Sequence, residues 1–116
     1  MGEIEHTRKD EGSVRFITFH SPDLQQTSVR EIMDIINGSR LENGIIALNL
    51  SNISRIDSLV IGSLLETAQD LKKIGSNLVL FNVSPVVSTV FRLIRLEQLL
   101  DIVETENDVR HLALRV

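Results

Sequence analysis

The sequence predicts an α/β fold built on a mixed, mainly parallel sheet packed by helices, with elements in the order β-β-α-β-α-β-α-β-α. Two observations carry the prediction. Ile45–Leu50 and Asn77–Phe81 are short, almost continuous apolar runs, the pattern of strands covered on both faces. Each is followed by a stretch in which apolar residues recur every three or four positions, the pattern of a helix laid on a sheet. Buried strands alternating with amphipathic helices imply parallel neighbours joined by helical crossovers, which leaves the N-terminal segment to supply an antiparallel edge.

The elements follow in order. Residues 1–9 are polar and only weakly alternating, and read as a weak edge strand or a partly ordered N-terminus. Val14–Phe19 is rich in β-branched and aromatic residues, and Glu11-Gly12 before it supplies the turn of a hairpin. Ser21-Pro22 has the form of an N-cap followed by proline at the first helical position; Leu24, Val29, Ile32, Met33, Ile35 and Ile36 then continue a helix to Gly38. After the Asn43-Gly44 loop, Ile45–Leu50 is the expected central strand. Val60, Ile61, Leu64, Leu65, Ala68, Leu71 and Ile74 form the apolar stripe of a second helix, which Gly75 closes. Asn77–Phe81 is the next buried strand, and Ser84-Pro85 repeats the cap-plus-proline start. Val86, Val87, Val90, Phe91 and Ile94 are expected to make the apolar face of the third helix, with Arg92 and Arg95 suiting the dipole at its end. Asp101–Glu104 is a short strand candidate and Glu106–Leu114 a last helix with an acidic start.

Composition narrows the function. A length of 116 residues with 42% hydrophobic content suits one domain, spanning 1–116, with its own core. A net charge of −4 gives no basic field for nucleic acid. The absence of cysteine removes disulfides and thiolate metal sites and agrees with a reducing compartment, so the cytoplasm is the expected location. No run approaches the roughly 18 apolar residues of a bilayer span, so direct membrane insertion is not expected. Met1-Gly2 is not read as a lipid anchor, because His6 stands where that motif has Ser or Thr. Four Phe residues are the only aromatics, too few for a platform on which bases stack.

The chemistry concentrates at Asp57-Ser58, between the central strand and the second helix. Either side chain can accept hydrogen bonds from the free N–H groups of a first helical turn. A hydroxyl there stands at the positive end of a helix, where added negative charge is favoured, so Ser58 is a sensible place to attach and remove phosphate. Gly62 lies in the first turns of the helix, where glycine costs about 1 kcal/mol relative to alanine. Two explanations stand open: close approach of a partner, or tight packing of the helix on its own sheet. Catalytic patterns are missing. Ser58 has Ile56 and Val60 where a nucleophile elbow has glycines. His6, His20 and His111 are far apart and none has metal-ligand spacing. No glycine-rich phosphate loop occurs. A magnesium-dependent phosphoacceptor would need an acidic pair after the strand that ends at His20, and only Asp23 is near. No enzyme activity, catalytic residue, metal or cofactor is therefore expected.

The stretch Leu48-Asn49-Leu50-Ser51-Asn52-Ile53-Ser54-Arg55-Ile56-Asp57-Ser58, the helix ending at Gly75, Leu78-Val79-Leu80 and Asn82-Val83-Ser84-Pro85 together resemble the STAS domain of anti-sigma factor antagonists. That family carries Asp-Ser-Ser/Thr-Gly-x-Gly, whose first serine is reversibly phosphorylated, and this serine matches Ser58. Leu59 stands for the second Ser or Thr, Val60 for the first Gly, and Gly62 matches the second. Where the family often has Gly-Glu-Leu-Asp before its first helix, this chain has His20-Ser21-Pro22-Asp23-Leu24. The resemblance implies a protein-binding switch: unphosphorylated at Ser58, the chain docks on an anti-sigma factor that is also a serine kinase, and a phosphatase restores the docking form. It places the partner surface at Asp57, Ser58, Leu59, Gly62, Ser21 and Asp23, with ATP belonging to the kinase. The alternative within the family is an unphosphorylated structural subunit of a transporter or sensory scaffold, which an exposed apolar pair at Leu59-Val60 would suit.

Overall fold

The computed structural model describes residues 4–24 and 29–115. Its first element is a hairpin: β1 (His6–Glu11) runs antiparallel to β2 (Val14–Phe19), and Gly12 takes the left-handed turn position at φ +55°. Beyond β2 every pairing in the main sheet is parallel. The spatial order is β1-β2-β4-β6-β7, with β4 (Ile45–Asn49) between β2 and β6 (Asn77–Phe81), and β7 (Asp101–Ile102) at the far edge. The expected interior place of Ile45–Leu50 is thus observed, although the strand proper ends at Asn49.

Strand alternation divides the apolar residues between two layers. Ile17 and Phe19 of β2, Ile46 and Leu48 of β4, and Leu78 and Leu80 of β6 join one core. There they meet Ile32 and Ile36 of α1 (Val29–Gly38), Val60, Leu64, Ala68 and Leu71 of α2 (Ser58–Lys72), and Val87 and Phe91 of α3 (Pro85–Leu93). Val14, Phe16, Ile45, Ala47, Val79 and Phe81 point the other way, onto Val109 of α4 (Glu106–Ala113). Each fully buried Leu, Ile or Phe contributes about 1.5–3 kcal/mol, so the larger layer supplies most of the stability.

The smaller layer is fastened by polar contacts as well. Thr105 and Asp108 close α4 with a reciprocal capping box. Arg110 donates to both carboxylate oxygens of Glu11, at 2.8 and 3.1 Å, and also pairs with Glu106. Lys9 lies 3.2 Å from Glu106, and both cations stack over the Phe16 ring. The hydrogen bond from Arg110 holds the Glu11 carboxyl below its ordinary value of 4.5. At Glu106 burial works in the opposite direction, but hydrogen bonds from Lys9 and Arg110 outweigh it and the pKa is again lowered.

Three expectations are corrected. Ser21-Pro22 does not start a helix: Asp23–Leu24 form a two-residue strand, β3, and the described part of α1 begins at Val29. β3 pairs in parallel with β5 (Arg55–Ile56), a second small sheet whose two-residue strands are too short to show periodicity in the sequence. Pro22 is used for its carbonyl, which accepts from Ser54 N and Arg55 N, so only Pro85 serves as a helix start. Second, the apolar face assigned to the third helix is mostly in solvent: Val87 and Phe91 are buried, whereas Val86, Val90 and Ile94 are exposed. α3 packs chiefly against the two-residue β5 and the short 3-10 turn at Leu96–Gln98, and only the row of Val87 and Phe91 joins the core. Third, the Asp101–Glu104 strand is only Asp101–Ile102.

Alanine at Leu48, Leu64, Leu80 or Phe91, all buried, is expected to cost about 2–5 kcal/mol in urea unfolding. Ile32, Ile36 and Leu71 are buried in the same core and should behave alike. The Arg110 cluster makes a pH prediction. Because the folded pKa of Glu11 and Glu106 lies below the unfolded one, the contacts contribute stability above pH 4.5 that is lost as pH falls through the folded values. Unfolding followed from about pH 5 to about pH 3 should therefore show a smaller stability loss for Arg110→Met than for wild type.

Candidate functional site

Past Asn49 the chain leaves the sheet at the C-terminal ends of the parallel strands, the usual place for a site in an α/β sheet. Its path to α2 is tightly held. Leu50 N donates to Phe81 O and Ile53 N to Leu50 O, and the side chains of Leu50 and Ile53 are completely buried. Ser54 N donates to Pro22 O at 2.8 Å and Asp57 N to Leu24 O at 3.1 Å, on either side of the β3–β5 ladder. From the other flank, the Ser84 hydroxyl donates to Ile53 O at 2.6 Å. That hydroxyl therefore ties α3's start to the loop and makes no side-chain cap bond to its own helix.

The cap at α2 is Asp57. Its backbone is extended, at φ −97° and ψ 167°, and its carboxylate accepts from Val60 N at 3.1 Å. Ser58 is then the first helical residue and is exposed. Among the described residues no hydrogen bond is made to its hydroxyl. Leu59 follows with 51% of its surface exposed, whereas Val60 has none. The expected apolar pair at the loop is thus Leu59 alone, because Val60 turns inward with the helix and joins the core.

The structure removes one of the two explanations for Gly62. It is exposed, its φ is not positive, and a Cβ built on it would meet no heavy atom within 4 Å. Packing of α2 on its own sheet does not require this glycine. Four residues after Ser58, it is on the same side of the helix, about 40° round the axis. Ser58, Leu59 and Gly62 therefore share one solvent-facing strip: a hydroxyl, an isobutyl group and bare backbone.

The other named residues fall beside it. Asp23 is half-buried and in register with Arg55, while Ser21 is half-buried in the segment leaving β2. The β3–β5 ladder thus brings the two segments into one surface, although residues 25 and 26 of the first lie outside the described residues. A surface hollow of 320 Å³ lies at their junction, lined by Leu24, Arg55, Ile56 and Asp57. Arg55 joins this hollow without having been expected there; in the sequence it is only a lone cation before an acidic cap. His20 is held apart from this surface chemistry. Its Nδ1 accepts from the Asn52 amide at 3.3 Å, which puts the proton on Nε2 to donate to the Thr7 hydroxyl at 3.2 Å.

A family model described as the STAS domain matches residues 8–110. Comparison of the sequence with curated proteins gave no match. Among solved structures, an anti-sigma factor antagonist from Mycobacterium paratuberculosis superposes with a TM-score of 0.78 at 16% identity, covering 97% of this chain and 95% of that one. The anti-sigma factor antagonist SpoIIAA in its unphosphorylated form gives 0.75 at 20%, with 97% and 98% covered. The murine anion transporter Slc26a9, in its inward-facing state, gives 0.73 at 19%, covering 90% of this chain and 18% of the transporter.

Two substitutions test the local energetics. Asp57→Ala should lower stability by about 1 kcal/mol through loss of the cap. Gly62→Ala should raise it by about 0.5–1 kcal/mol, since the methyl group meets nothing and the helix gains propensity. Urea denaturation of the two variants reads both, and a destabilised Gly62→Ala would mean that this glycine is needed by the fold itself.

Proposed function

Because this chain belongs to the STAS domain family, we propose that it is an anti-sigma factor antagonist, a binding switch set by phosphate on Ser58. The observation that carries the reading is the strip on α2: an exposed serine at the first helical position, capped by Asp57 and followed by exposed Leu59 and Gly62. Similarity in fold to two anti-sigma factor antagonists supports it.

In the docked state, Ser58 carries no phosphate. Leu59 supplies apolar area and Gly62 lets a partner side chain reach the helix backbone, a contact that any Cβ would push outward. Asp23 and Ser21 extend the surface across the β3–β5 ladder. The partner is an anti-sigma factor with serine kinase activity, and docking frees the sigma factor that it holds. In the same encounter, the Ser58 oxygen attacks the γ-phosphorus of the kinase's ATP, its proton passes to a base on the kinase, and ADP leaves. This chain supplies only the acceptor oxygen. The product carries about −1.5 to −2 additional charges at pH 7 next to Asp57, and burying that group against Leu59 costs more than the contact returns. Release follows without a change of fold, and a phosphatase restores the hydroxyl by hydrolysis. The exchange takes place in the cytoplasm.

A second reading has its own support. α3 exposes Val86, Val90 and Leu93, and the transporter domain shares the fold, so a permanent structural subunit of a transporter or scaffold complex is the alternative.

Substitutions at position 58 separate the two. Ser58→Ala should fold normally, keep partner binding and take no phosphate from the cognate kinase with ATP, whereas wild type gains one phosphate by mass spectrometry. Ser58→Asp should weaken binding only in part, because it brings one charge where phosphate brings nearly two. Unchanged binding of Ser58→Asp, together with no phosphate on wild type, would leave the structural subunit as the function.

A further inference from the structure

We propose that Arg55 is the regulatory cation of the switch: its guanidinium pairs with the phosphate once Ser58 is modified, and holds the modified side chain against the loop. This rests on Ser58 being the acceptor, and adds how its charged form is kept.

The placement comes from the backbone. Arg55 lies in β5 and Asp57 continues the extended conformation, so the two side chains leave the same side of the strand. The Asp57 carboxylate is located by its bond to Val60 N at the foot of α2, and Arg55 is therefore on that side as well. Both residues line the 320 Å³ hollow, with Leu24 and Ile56 as its apolar walls. Arg8, Lys9, Arg15, Lys73 and Arg110 have carboxylate partners, while Arg30, Arg40, Lys72, Arg92, Arg95 and Arg115 have none among the described residues, so it is position beside Asp57 that singles out Arg55. Arg55 is exposed and has no ion pair among the described residues. It is three residues from Ser58, and the loop that carries it is fixed at Ser54 N, Arg55 N and Asp57 N.

Charge balance gives it a purpose. Arg55 has Asp57 two residues along its own segment and Asp23 in register across the ladder, both acidic. A phosphate dianion added to Ser58 would add to the negative charge of Asp57 and Asp23, and Arg55 is the cation placed on their segment to oppose it. A guanidinium offers several donors in a planar fork, which suits the oxygens of a phosphate better than an ammonium does. When Ser58 is free, Arg55 is left for an acidic side chain of the docked partner. Phosphate then acts twice, by charging the Leu59 strip and by withdrawing that cation.

Phosphoserine incorporated at position 58 during translation tests this without a kinase, the covalent phosphate being the probe. Its second ionisation is followed by ³¹P NMR in wild type, Arg55→Gln and Arg92→Gln. A nearby cation favours the dianion, so Arg55→Gln is expected to titrate about half a pH unit or more above wild type. Arg92→Gln, an exposed cation on α3, is expected to match wild type, and 1 M salt should narrow the difference by screening. Equal midpoints for wild type and Arg55→Gln would overturn the role of Arg55 and leave Ser58 as acceptor. Finding Ser58 unmodified in protein from cells grown across conditions that switch its regulator would instead overturn the acceptor, whatever the titration gives.

Discussion

β4 has a strand on each side and a packed layer on each face, so every backbone group and every side chain in its middle is already committed. β2 and β6 are confined in the same way, and β4 lies between them at the centre of the sheet. The chain can leave only at its C-terminal end, and must turn within a few residues to lay α2 back over the sheet. That constraint puts Asp57 and Ser58 at the rim. It also explains why the loop is pinned by backbone bonds to Pro22 and Leu24 and by the Ser84 hydroxyl, rather than being left to find its own path. The presented surface is held in place by supports from two other connections of the same fold, the one leaving β2 and the one leaving β6.

Rigidity matters for recognition. A loop that is already ordered loses little conformational entropy when a partner settles on it, and more of the contact energy appears as affinity. It also means that a modification there is felt as charge and bulk at a fixed place. A flexible loop could swing a phosphate into solvent, whereas here the Ser58 oxygen is carried on the first turn of a 15-residue helix.

Long elements were legible in the sequence because their patterns repeat. The stripe from Val60 to Leu71 predicts α2, and two-face apolar runs predict β4 and β6. The elements that were misread are short or at an edge. Ser21-Pro22 has the local chemistry of a helix start, and pairing of Asp23 with Arg55 overrides it through a contact more than thirty residues distant in the chain. In α3 the valines at 86 and 90 have helical spacing like that of any core face, yet burial depends on which elements the helix meets, here a two-residue strand and a 3-10 turn, which spacing does not encode. The Asp57 cap and the start of α2 at Ser58 were legible, since a cap before an apolar run is a local signal. The place of Arg55 beside Asp57 was not, because it depends on the pairing of β5 with β3. Val60 shows the same limit: beside Leu59 in sequence, it is separated from it by the turn of the helix into a different environment.

The two borders of the sheet differ in length but share one property. β1 presents His6, Thr7, Arg8, Lys9 and Asp10 to solvent over almost its whole length, and β7 is only two residues long. A foreign strand adding to β1 would have to strip water from a row of charges, and at β7 it would find too little backbone to hold. Copies of this protein can therefore be crowded together, or tethered side by side on a larger assembly, without their sheets growing into one another. Resistance to amyloid-like stacking is built into the borders, which leaves the helical side of the molecule free to be adhesive.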